Sequence, residues 1–177
     1  MALTLVRHTR PAVEDGVCYG ATDLGVADDF EEAARSVVAS LTPCDVLVTS
    51  PLQRCRLLAE RIGRAFELSP IVDERVREMD FGRWEGMLWS DVPRDEVEEW
   101  NRDFLGARPH GGESVAAMRA RVEEALVEYR SSARSHIVVT HSGVIKCALA
   151  TGDEARDFTT NVAFGEVIRL TKERNVP

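Results

Sequence analysis

Residues 3–8 read LTLVRH, an apolar run that gives way at once to an arginine and a histidine. So short a run of Leu and Val predicts a buried strand, and two later stretches end in the same fashion. DVLVT at 45–49 leads through SPLQR to Arg54, and HIVVT at 136–140 runs into His141. In a doubly wound sheet, ligands sit beyond the carboxyl ends of the strands, near a reversal in strand order. Arg7, His8, Arg54 and His141 all lie just past such ends, so the three stretches predict one shared site.

The intervening segments carry helical periodicity. DDFEEAARSVVASL (28–41) places Phe30, Ala34, Val37 and Leu41 on one face, with Asp28 or Asp29 as N-cap. SPLQRCRLLAERIGRAF (50–66) sets Ser50, Pro51 and Gln53 in the order of N-cap, N1 and N3, above a stripe of Leu52, Cys55, Ala59, Ile62 and Phe66. PIVD (70–73) reads as a short strand. SVAAMRARVEEALVEYR (114–130) reads as a helix capped by Ser114, with Val115, Met118, Val122, Leu126 and Tyr129 inward. SGVIKCALA is a short helix and EVIRLT a closing strand. The alternation predicts an α/β fold, a three-layer α/β/α sandwich around a mostly parallel sheet. Residues 74–112, rich in charge, Trp, Gly and Pro, break the rhythm, with one helix expected near PRDEVEEWNRDFL. They read as an insertion covering one face of a single domain spanning residues 1–177.

Composition narrows the function classes. The chain has 177 residues, 44% hydrophobic and 29% charged, enough for one real core. A net charge of −8 argues against a nucleic-acid partner, yet a few converging arginines still suit a small anion. No apolar stretch reaches the roughly 20 residues a membrane span needs, and no signal peptide is expected. Four scattered cysteines (Cys18, Cys44, Cys55, Cys147) fit reduced thiols, so the expected compartment is the cytoplasm.

The chemistry is read by elimination. Arg54 falls in the first turn of its helix, where the macrodipole disfavours a cation by about 0.3–1 kcal/mol; a bound anion would explain it. Either histidine alone is most simply a structural imidazole, but two at matching strand ends favour a site. Neither has a metal-ligand partner at the usual spacing, so no metal is expected. Gly-x-Ser-x-Gly and the Gly-rich phosphate loops are absent. What remains is a cationic pocket with two imidazoles, suited to a phosphoryl dianion and a histidine nucleophile.

These residues resemble a known family. LVRHTRP, SPLQRCRLLAE, REMDFGRWEG, HGGESVAAMRARV and VVTHSGVIK, in this order over roughly residues 3–148, are similar to the histidine phosphatase superfamily, the phosphoglycerate mutase-like clan. RHTRP with GVCYGATDLGVA is most similar to the α-ribazole-5′-phosphate phosphatases of cobalamin biosynthesis. The resemblance implies His8 as phosphorylated nucleophile, Arg7, Arg54 and His141 on the phosphoryl oxygens, and Glu78 of REMDFG as proton donor. Asp80 and Glu85 are its rivals by position alone. It also implies a small phosphorylated metabolite as partner and no cofactor. Thr9 stands where the family has Gly, and Ser142 follows the second histidine where Gly is frequent. Each brings a hydroxyl expected to reach phosphate.

The expected activity is therefore metal-independent phosphomonoester hydrolysis, with α-ribazole 5′-phosphate as the expected substrate. A broad-specificity or protein phosphohistidine phosphatase, a mutase and a catalytically silent phospho-ligand binder are the alternatives. The covering insertion disfavours a protein substrate, the short chain disfavours a mutase, and nucleophile and acid together disfavour a mere binder.

Overall fold

The computed structural model describes residues 2–170. Its strands are β1 (Leu3–Arg7), β2 (Val46–Thr49), β3 (Ile71–Val72), β4 (His136–Thr140) and β5 (Val167–Leu170). They form one sheet in the order β3-β2-β4-β1-β5, parallel throughout except for β5, which runs antiparallel to β1. The helices are α1 (Phe30–Ser40), α2 (Gln53–Phe66), α3 (Arg94–Arg102), α4 (Val115–Ser131) and α5 (Ser142–Leu149).

Because successive strand residues point to opposite faces, the apolar runs feed two cores at once. Val6, Leu47, Ile137 and Val139 pack with α1 and α2. Leu3, Leu5, Val48 and Val138 pack with α4 and α5 on the other face. This is the expected α/β sandwich with a mostly parallel sheet. β1 leads into α1 on one face, whereas its neighbour β4 leads into α5 on the opposite face. The chain thus parts at the carboxyl ends of β1 and β4, the crevice where such sheets bind ligands. Arg7 pairs in register with Thr140, so His8 and His141 leave the sheet side by side.

Local deviations from the sequence reading have identifiable causes. α2 begins at Gln53, two residues later than the Ser-Pro-x-Gln pattern implies, with Leu52 as N-cap and no side-chain cap. Ser50 is still tied to the sheet through its N–H to the Val139 carbonyl (3.0 Å), and its hydroxyl is used elsewhere. Asp29 does sit at the cap of α1 but makes no cap bond; it pairs with Arg10 at 3.3 Å. Ser114 caps α4 as expected, accepting from the Ala117 N–H at 3.1 Å. Leu41 and Phe66, expected inward, are only half-buried at their helix ends. Thr171, the last residue of the expected closing strand, lies outside the described residues. None of the described helices is long and apolar enough to cross a membrane.

Candidate active site

His8 sits at the end of β1, 2% exposed. Its Nδ1 lies 2.7 Å from the Thr9 carbonyl, which can only accept, so Nδ1 carries the ring proton. The lone pair is then on Nε2, and the Arg54 Nε–H donates to it at 3.3 Å. Burial, reinforced by the charges of Arg54 and Arg7, pulls the His8 pKa down to about 3, against the opposing effect of the Thr9 bond. His8 is therefore a neutral imidazole at any ordinary pH, its Nε2 lone pair accepting from Arg54.

Arg54 is fully buried in the first turn of α2. Its two terminal nitrogens donate to the carbonyls of Thr22 and Gly20, both at 2.7 Å. That loop is itself clamped. Glu85 accepts from the backbone N–H groups of Gly20 (3.0 Å), Ala21 (2.8 Å), Thr22 (3.0 Å) and Phe81 (3.0 Å), and from the Thr22 hydroxyl. Burial alone would raise the Glu85 pKa, but these donors outweigh it and hold the carboxylate below its ordinary range. Glu85 thus fixes the loop that fixes the guanidinium beside His8. It has no free lone-pair direction for acid chemistry at the cavity. Asp80 is likewise engaged, accepting from the Gly82 N–H at 2.8 Å within its turn.

His141 is fully buried, edge-on to His8 with ring centroids 5.2 Å apart. Its Nε2 is 2.7 Å from the Ser50 hydroxyl and 3.4 Å from the Cys55 sulfur. Ser50 was legible only as a helix cap; its contact with His141 depends on β2 and β4 being neighbours, which no local pattern encodes. Burial drives the His141 pKa well below the usual histidine range, with the His8 and Arg54 sites adding to it. Arg7 donates to the Val162 carbonyl, and its guanidinium lies 3.9 Å over the Phe164 ring.

Glu78, 9% exposed, comes from the 74–112 segment. Its carboxylate accepts from the Gly143 N–H at 3.1 Å and from the Met79 N–H at 3.0 Å. A Cβ on residue 143 would fall 2.3 Å from the Glu78 Oε1, so any larger residue there would push the carboxylate aside. A cavity of about 640 Å³ opens over these groups, with Arg7, His8, Glu78, Ser142 and Lys146 among its polar lining. Tyr19, Phe81, Trp89, Trp100, Phe104 and Phe158 make much of its wall. Arg54 and His141 stand behind this surface and act on it through His8.

Thr9 departs from expectation. It faces a separate groove with Arg10, Asp29 and Phe164, and its buried hydroxyl has no hydrogen-bond partner. The residue after His8 thus lines a different surface from the cavity. The carbonyl of Thr9, not its hydroxyl, serves the site. Lys146 escaped the sequence reading; its signal was its spacing, one helical turn beyond Ser142 on α5.

Residues 3–164 match the profile of the histidine phosphatase superfamily (branch 1). The chain is 31% identical to Phosphoserine phosphatase 1 of Hydrogenobacter thermophilus, over 98% of its own length and 89% of that protein's. A crystal structure of phosphoglycerate mutase from Thermus thermophilus superposes with a TM-score of 0.79 at 31% identity, covering 98% of this chain and 95% of that one. The native structure of mycobacterial glucosyl-3-phosphoglycerate phosphatase reaches a TM-score of 0.83 at 24% identity, covering 98% and 91%, a likeness of fold. By profile and by near full-length similarity, the chain belongs to the histidine phosphatase superfamily.

Proposed function

We propose that the protein hydrolyses small organic phosphate monoesters without a metal, through a phosphohistidine on His8. The observation that carries this is the His8 ring itself. It is neutral, fixed by Thr9 in the tautomer with its lone pair on Nε2, and lines a cavity in which Arg7 and the Arg54 charge behind it favour a dianion. In the first step Nε2 attacks phosphorus, the P–O ester bond breaks, and Glu78 gives a proton to the departing alkoxide. In the second step water attacks the phosphohistidine, its proton passes to Glu78, the P–N bond breaks, and inorganic phosphate leaves. The transition states are loose and charge-rich, so positioning and charge supply most of the acceleration. Ser142, at the N-terminus of α5 and on the cavity wall, offers its hydroxyl and the helix end to the phosphoryl oxygens.

The resemblance names α-ribazole 5′-phosphate as one member of this substrate class. It is supported by the GVCYGATDLGVA likeness and by an aromatic wall that suits a planar base. The same wall, formed largely by residues 79–104, supports reading 74–112 as a cover and argues for a small ester over a protein side chain. The scattered free thiols support a cytoplasmic setting. Rapid-quench labelling with a radioactive phosphate ester in excess chelator tests the reaction. The expected result is an acid-labile, base-stable label that disappears in His8→Ala. A label that persists in that variant, or hydrolysis that requires an added divalent ion, would overturn it. Relative kcat/KM across a panel of metabolite phosphates containing α-ribazole 5′-phosphate tests the finer reading.

A further inference from the structure

Lys146 is one of two lysines in a chain with twenty arginines, and the only lysine among the described residues. Every ion pair among those residues is made by an arginine. Lys146 has no carboxylate within ion-pair distance among them, in a protein with a net charge of −8. It is half-buried and lines the cavity that holds His8. Glu78 is the one carboxylate on that lining, and both its oxygens already accept backbone N–H groups.

The position of this ammonium matters. Lys146 lies four residues beyond Ser142 on α5, so the two side chains share a face about 6 Å apart along the helix axis. Ser142 marks the phosphoryl end of the cavity; Lys146 marks a point one turn away along the leaving group. The last turn of a helix favours a cation in general. That preference is met equally well by a side chain in open solvent and does not explain one held against an aromatic cavity wall. On a lining that also includes Phe158 and Ala155, an ammonium without an anion is underused, because its attraction for one is strongest where water is partly excluded.

We infer that the preferred substrates carry a second anionic group, such as a carboxylate, on the leaving group about one helical turn from the phosphorus, and that Lys146 binds it. This rests on the phosphatase reading of the site. It competes with the α-ribazole assignment, since α-ribazole phosphate has no acid beyond its phosphate. Arg7 and His8 face the reacting group, with the Arg54 charge behind them; Lys146 selects what is attached to it.

The test uses three esters: 4-carboxyphenyl phosphate, 4-methylphenyl phosphate, which matches it in shape without the charge, and α-ribazole 5′-phosphate. The readout is the ratio of kcat/KM for the first two, which does not depend on how much of a variant is folded. The wild type should favour the carboxylated ester by about 10–100-fold, the scale of one charge-assisted hydrogen bond. Lys146→Met should bring the ratio near one, Lys146→Glu should take it below one, and Lys146→Arg should restore most of it. A wild-type ratio near one, a ratio that Lys146→Met leaves in place, or faster turnover of α-ribazole phosphate than of the carboxylated ester would overturn the inference while leaving the phosphatase intact. Failure of the wild type to hydrolyse any of the three would overturn both.

Discussion

The site is assembled from two regions that are built in different ways. One is the set of strand ends, where Arg7, His8, Arg54 and His141 are placed by sheet register and tied to backbone. The other is the 74–112 segment, which has little regular structure and an aromatic packing of its own: Trp84 is fully buried against His110 at 4.8 Å and Trp100 at 5.7 Å. The first region holds groups whose ionisation and direction must not vary. The second brings the apolar wall, Glu78, and the Glu85 clamp on Arg54. The division is thus not chemistry against cover. The irregular segment reaches into the machinery at two carboxylates, one facing the cavity and one bracing it from behind.

Glu78→Gln presses hardest on that picture. The amide keeps the size of the side chain but has no proton to give. Hydrolysis of an alkyl phosphate should fall about 10²–10⁴-fold, the range of a positioned general acid. An aryl phosphate, whose leaving group needs less help, should lose much less in a pre-steady-state phosphorylation step. Equal losses on both esters would make Glu78 a positioning residue and return the chemistry to the strand ends alone.

Glu85→Ala tests the brace. It leaves the N–H groups of Gly20, Ala21, Thr22 and Phe81 without their acceptor and frees the loop whose carbonyls hold Arg54. Stability should drop by about 1–3 kcal/mol. At saturating substrate, kcat should fall about tenfold at a temperature where the variant is still folded, through displacement of Arg54. A stability loss with kcat intact would confine Glu85 to the fold.

The strand-end region has a pH signature. His8 titrates near 3 in the fold against about 6.5 in an unfolded chain, and His141 is displaced in the same direction. Their lowered pKa values mean that unfolded chains take up protons first as the pH drops. The stability that burial of neutral His8 contributes is complete above about pH 6.5 and is lost progressively towards pH 3, and that of His141 is lost in the same direction. His8 can contribute a slope of up to about 1.4 kcal/mol per pH unit in that window. Denaturation midpoints between pH 7 and 4 should fall more steeply for the wild type than for His8→Asn. Parallel curves would show that burial of this imidazole is not coupled to folding.

How far these regions could be read from sequence follows from the same division. The two cores, the strand ends and the α4 cap were legible because period-2 and period-3.6 patterns report directly on which side chains turn inward. Ser50 was misread because a Ser-Pro-x-Gln string is a valid local capping signal, and only the pairing of β2 with β4 redirects its hydroxyl to His141. Glu85 was legible as a charged residue in a Gly-rich loop, but its partners in the loop that holds Arg54 lie more than 60 residues away. Glu78 was distinguished from Asp80 and Glu85 by the family resemblance, not by spacing. The structure adds a physical reason for the same choice: Glu78 lines the cavity, whereas Asp80 and Glu85 do not.

Thr9 gives the smallest expected effect and the finest test of where the strand-end site stops. It follows the nucleophile directly and carries a hydroxyl, so by sequence it belonged on the phosphate. In the fold the side chain is 1% exposed, points into the groove beside Phe164, and leaves Oγ1 without a partner. A buried hydroxyl with no hydrogen bond costs about 1–3 kcal/mol relative to one that is satisfied, and valine replaces it with a methyl of nearly the same shape. Thr9→Val should therefore be as stable as the wild type or more stable by about 1 kcal/mol, visible as a raised midpoint in thermal or denaturant unfolding. Because the Thr9 carbonyl that holds His8 Nδ1 belongs to the backbone, the tautomer survives the change and kcat/KM should stay within about twofold. A hydroxyl bound to a phosphoryl oxygen behaves otherwise: its loss removes a hydrogen bond to a charged group, about 1.5–3 kcal/mol, and lowers kcat/KM by tenfold or more. A loss of that size in Thr9→Val would extend the phosphate site past the nucleophile and require Thr9 to turn from its groove into the cavity.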